Sequence, residues 1–171
     1  MTMAPRLRQF ALTLHVACSV GLLGAIAAFL ALAITGLTDQ NAQTVRAAYL
    51  TMPPIARFVI VPLTLASLLT GLIQSLGTSW GLFRHYWVLL KLLLTTIAAM
   101  VLLFKLELID LAARLAAEPT LPRADLREAG IQLTVHALGG LLVLLVPMVL
   151  SVYKPPGLTR YGWRKQRDPI A

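Results

Sequence analysis

The stretch Phe10–Ile34, FALTLHVACSVGLLGAIAAFLALAI, decides how this chain folds. It lies inside a run of thirty residues, between Arg8 and Asp39, that contains no charged side chain. A helix rising 1.5 Å per residue crosses a hydrocarbon core about 30 Å thick in about 20 residues, so this run is a membrane span. Arg6 and Arg8 in front of it, and Ala31-Leu32-Ala33 near its end, resemble parts of a secretion signal. A signal's apolar region is only about 7–15 residues long, so the run reads as a retained span.

Working outward, three further stretches have the same character. They are predicted at about 55–77, 86–106 and 130–153, giving an all-α transmembrane four-helix bundle over residues 1–153. Pro53-Pro54 mark the start of the second span or a sharp kink, and Pro62 a bend within it. Between Thr78 and His85 a short polar connection carries Trp80, Arg84 and His85, with Tyr86 and Trp87 following, the composition of a membrane–water boundary. After the third span, Asp110–Glu118 reads as an amphipathic continuation in which Asp110 pairs with Arg114 at i,i+4, ended by Pro119 and Pro122. Composition agrees: of 171 residues, 58% are hydrophobic and 13% charged, and the mean hydropathy is +0.78. Soluble domains carry about a quarter charged residues.

The net charge of +8 does not point to nucleic acid. Five of the fifteen basic residues (Lys154, Arg160, Arg164, Lys165 and Arg167) form a tail, 154–171, next to the last span. Such a tail sets topology and contacts anionic lipids. Together with Arg6, Arg8 and Arg84 it places both termini on the cytoplasmic side of a bacterial-type inner (plasma) membrane. Cys18 is the one cysteine, which excludes an internal disulfide.

Ionisable groups inside spans are candidates for function. His15 and Lys91 are predicted roughly 10 Å and 8 Å to the cytoplasmic side of the centres of spans one and three, and His136 roughly 8 Å to the outer side of span four. That separation rules out a haem held by both histidines. Cys18, Ser19, Leu22 and Ile26 share the face of His15, while Arg84, Trp87, Lys91, Thr95 and Ala98 form a stripe on span three. Gln74 falls at the same depth. His15, Gln74, Lys91 and Arg84 therefore form a cofactor-binding candidate set suited to an anionic ligand or a propionate. Arg57, Lys105 and His136 form a second group near the outer side. Ala17, Gly21, Ala25 and Ala28, and also Gly139-Gly140, read as close-packing positions.

The pattern Leu14-His15-Val16 opening span one, with Trp87-x-x-x-Lys91 opening span three, resembles a group of small bacterial four-span membrane proteins classed as a domain of unknown function. The tail Tyr153-Lys154-Pro155-Pro156-Gly157, then Arg160-Tyr161-Gly162-Trp163-Arg164, extends that resemblance over nearly the whole chain. More distantly, the His15–Lys91 arrangement is similar to the copper-resistance D-type proteins and to the small haem-containing membrane protoporphyrinogen oxidase. That second resemblance implies haem b, with His15 as an iron ligand and Lys91 as a functional residue. Three readings follow: a haem b redox protein using His15 and Lys91; a structural or accessory subunit of a homo-oligomer or larger membrane complex; and a small transporter acting as an oligomer.

Overall fold

The structure, a computed structural model, describes residues 3–77, 82–120, 123–153, 155, 157–160 and 162–163. Trp80, Pro122, Pro156, Tyr161 and the tail cations Lys154, Arg164, Lys165 and Arg167 lie outside the described residues. The elements are α1 (Pro5–Thr38), α2 (Ala42–Ile55), a π-helical turn (Ala56–Ile60), α3 (Val61–Gly77), α4 (Tyr86–Ala117) and α5 (Arg123–Tyr153). Because α2, the π turn and α3 run on without interruption, the chain has four helices long and apolar enough to cross a membrane. Each packs on its neighbours in sequence, and α5 closes the ring onto α1. It is an all-α four-helix bundle and a multi-pass membrane protein.

The expected spans are all present, but the connections differ from expectation. Only Asp39–Gln40–Asn41 separate α1 from α2, where a twenty-residue link had been expected. Asn41 caps α2 by accepting a hydrogen bond from Gln43 N at 2.8 Å, and Asp39 accepts one from Asn41 N at 2.7 Å. Pro53-Pro54 do not begin a helix; they lie inside one. Proline removes a helical donor and crowds the carbonyl four residues back. The strain is absorbed just downstream, where the turn widens and Val61 N donates to Ala56 O, five residues back.

The α4 helix, at 32 residues, is about 48 Å long, well beyond the 30 Å hydrocarbon core. The surplus lies at the end rich in charge, where Arg46, Glu107, Asp110, Glu118 and Arg123 cluster. At that end the core is tightest. Val45, Ala48, Tyr49 and Met52 of α2 are buried at i, i+3, i+4 and i+7. Ile109, Ala112, Ala113 and Ala116 of α4 repeat that spacing, and Leu126, Ala129, Gly130 and Leu133 of α5 do so again. Tyr49 and Met52 are completely buried. Burying such side chains from water is worth about 1.5–3 kcal/mol each, a driving force that lipid does not supply. Arg46 ties the two connections of this end together, donating to Glu118 O at 2.6 Å and Pro119 O at 2.7 Å, while Arg123 donates to Gln40 O at 2.9 Å.

The other end holds both termini. Met3 N donates to Gly77 O at 3.1 Å, and the connection before α4 is joined by the residues that follow α5. Thr159 N donates to Arg84 O at 2.9 Å, Tyr86 N to Gly157 O at 3.3 Å, and His85 forms an isolated antiparallel bridge with Leu158. The Thr159 side chain is buried, and its hydroxyl donates to Phe83 O. The described part of the basic tail is therefore docked on the bundle.

Two packing expectations are corrected. Ala17, Gly21 and Ala28 are exposed and Ala25 half-buried, because α1 buries Ala11, Cys18, Leu22, Phe29, Ala33 and Gly36 instead. A side chain on Gly139 or Gly140 would meet nothing within 4 Å, so that pair makes no close helix approach within this chain. The expected Asp110–Arg114 pair is also replaced: Asp110 pairs across the helices with Arg57.

Candidate functional site

The half of the bundle that holds the termini has an interior of a different kind. Every fully buried residue of α3 carries a hydroxyl: Thr64, Ser67, Thr70 and Ser75. From Tyr86 to Ala98, α4 has no fully buried residue, and beyond Ala137 α5 buries only Pro147. In this half α3 turns hydroxyls inward while α4 and α5 bury little, whereas the opposite half has an apolar, closely packed core.

Along the α1–α3 contact the polar groups form a ladder. Gln74 donates from Nε2 to Ala11 O at 2.8 Å. One turn on, His15 Nδ1 lies 3.0 Å from Thr70 Oγ1 and 3.1 Å from Ser67 O. A further turn on, the Ser19 and Ser67 hydroxyls are 2.9 Å apart. Each four-residue step along α1 meets a step back along the antiparallel α3, so these pairs set the helix register. Intramembrane hydrogen bonds of this kind average about 0.6 kcal/mol, so the ladder gives specificity more than strength. A Cβ on Gly71 would stand 3.0 Å from His15 Cε1; the bare backbone there is what lets the ring lie against α3.

Ser67 O can only accept, so its contact with the ring is a hydrogen bond in the tautomer that carries its hydrogen on Nδ1; in that neutral form Nε2 keeps its lone pair.

Lys91 faces α5. Its Nζ donates to Ser151 Oγ at 2.6 Å and lies 5.5 Å from the centroid of the Trp87 ring, a cation–π distance. Ser151 Oγ in turn donates to Pro147 O at 2.7 Å. Arg84 lies in the turn before α4, half-buried, with its carbonyl taken by Thr159.

Of the four expected residues, His15 and Gln74 bond across the α1–α3 contact, Lys91 bonds across the α4–α5 contact, and Arg84 lies in the turn before α4. Scans against protein-family models, curated proteins and solved structures each returned no match. The site is thus read from its own chemistry. Among the described residues no three His, Cys, Asp or Glu side chains converge to hold a metal ion. The sequence reading passed over Ser67, Thr70 and Gly71, although with Gln74 they fall at i, i+3, i+4 and i+7, a helical face legible in the sequence. It also passed over Ser151.

The other expected group does not assemble. His136 Nδ1 lies 2.6 Å from Gln132 O on its own helix, and Arg57 is held by Asp110. Among the described residues, neither Lys105 nor His136 makes a polar contact with Arg57.

Proposed function

We propose that this chain is a multi-pass inner-membrane protein with cytoplasmic termini whose terminus-side interior binds haem b as a redox cofactor. The observation that carries the reading is His15, a half-buried histidine in the middle of a span whose Nδ1 is anchored by Ser67 O and Thr70 Oγ1 of the facing helix. Helix bundles place cofactors in their interiors, using side chains on facing helices. A porphyrin brings four nitrogens of its own and asks the protein for only one or two ligands, which suits a donor set reduced to His15.

His15 would ligate iron through Nε2. Anchoring a ligand histidine by its other ring nitrogen to a carbonyl orients the ring and raises its basicity, and Ser67 O and Thr70 Oγ1 stand where that role requires. Lys91, steadied by Ser151 and the Trp87 face, and Arg84 in the turn before α4 would pair with the propionates. When bound, haem supplies one-electron transfer. Gln74 is better understood as a helix clamp.

The test is the absorption spectrum of protein purified in detergent after expression with ample haem. A Soret band that is lost in His15→Ala and retained in His136→Ala is the expected result. Colourless wild-type protein overturns the proposal. A second reading, an accessory subunit that packs in a homo-oligomer or larger complex, is favoured by the Gln74–Ala11 and Ser19–Ser67 bonds, which are complete without a ligand. Colourless protein that co-purifies in a fixed stoichiometric assembly would establish it.

A further inference from the structure

At the end of the bundle far from the termini, α2, the π turn and α4 line a shallow, open groove. Three charges stand in it: Arg57, Asp110 and Arg114. Asp110 and Arg114 are one helical turn apart, yet the carboxylate is taken by Arg57 from the neighbouring helix. The groove thus holds two guanidinium groups and one carboxylate, a net charge of +1. Arg114 is exposed and makes no hydrogen bond or ion pair among the described residues. Arg57 is engaged only through Nη2, and 54% of its side chain remains exposed.

The rest of the lining is apolar. Pro53, Pro54 and Ala113 line it, and Phe58, 78% exposed, projects beside Arg57. Arg57 and Phe58 are both presented from the π turn, whose extra residue re-aims side chains relative to a regular helix. The site is amphiphilic: Pro53 and Pro54 precede Arg57 by about one turn, toward the outer end and near the level of Arg114, while Phe58 lies on the inward side of the two guanidinium groups.

We propose that this groove binds the phosphate headgroup of an anionic phospholipid in the leaflet opposite the termini. Arg57 and Arg114 take the phosphate oxygens, for which the guanidinium fork is suited, and the acyl chain lies along Phe58. Asp110 holds Arg57 in position and competes with the phosphate for it. A zwitterionic choline lipid is disfavoured, because it brings a quaternary ammonium next to two cations. The proposal rests on the bundle's spanning geometry and is independent of whether haem binds.

The experiment is native mass spectrometry of the detergent-purified full chain, titrated with phosphatidylglycerol, phosphatidylcholine or inorganic phosphate. Phosphatidylglycerol adducts should outnumber phosphatidylcholine adducts at least threefold. They should fall at least threefold in Arg57→Ala and in Arg114→Ala, and should rise in Asp110→Asn. A gain in the last variant cannot come from misfolding. Equal retention of the two lipids, or phosphatidylglycerol retention unchanged in both arginine variants, overturns the proposal. Displacement of the lipid by equimolar inorganic phosphate overturns it in favour of a soluble-anion site.

Discussion

The ring of Tyr49 lies so close over Gly36 that a methyl group on that glycine would stand 2.8 Å from both Cε2 and Cζ. On its other side the Tyr49 hydroxyl presses against Gly130 and donates to Leu126 O at 3.3 Å. One side chain of α2 thus fills the space between α1 and α5, and two glycines make the room. A rigid, fully buried ring cannot yield as a flexible side chain would. Gly36→Ala should destabilise the protein by about 1–3 kcal/mol, the usual cost of overpacking. Thermal unfolding in detergent measures this. Gly139→Ala, where the added carbon meets nothing, is the matched control and should leave the midpoint unchanged.

The Ser19–Ser67 rung should be modest in energy. Each alanine variant is expected to lose about 0.5–1.5 kcal/mol, with a coupling of about 0.6 kcal/mol in the double-mutant cycle. A coupling near zero would mean that the two hydroxyls do not set the α1–α3 register.

Docking of the tail depends on Thr159, whose hydroxyl donates to Phe83 O and accepts from Gly162 N at 3.1 Å. A Cβ on Gly162 would lie 2.5 Å from Arg84 O, a backbone atom that cannot easily move. Thr159→Val and Gly162→Ala should each release the tail without unfolding the bundle. Faster trypsin cleavage after Arg160, at an unchanged global midpoint, is the expected readout.

The Arg57–Asp110 pair should contribute little to stability, because one partner is more than half exposed. Asp110→Asn should cost at most about 1 kcal/mol, and less as salt is raised. A loss several times larger would show that the pair holds the π turn together.

Much of this architecture was legible in the residues alone. Thirty uncharged positions around Phe10–Ile34 leave no structure but a spanning helix, since any other backbone would strand polar groups in hydrocarbon. His15 and its companions Cys18 and Leu22 do face inward, because helical periodicity is a local property. Of the two expectations for Pro53-Pro54, a helix start is corrected, because the helix runs through them into the π turn while Tyr49 on the same helix packs against α1 and α5. The Val45–Ala48–Tyr49–Met52 spacing was the available sign.

What the sequence determined by itself is the number of crossings, because transfer of apolar side chains from water to lipid is decided segment by segment. What only the tertiary structure decided is which groups meet: Asp110 with Arg57 and not Arg114, His15 with Ser67 and Thr70, the tail with the turn before α4. Those pairings depend on the relative rotation and register of separate helices, which arise from the packing of all four together and are encoded in no single stretch.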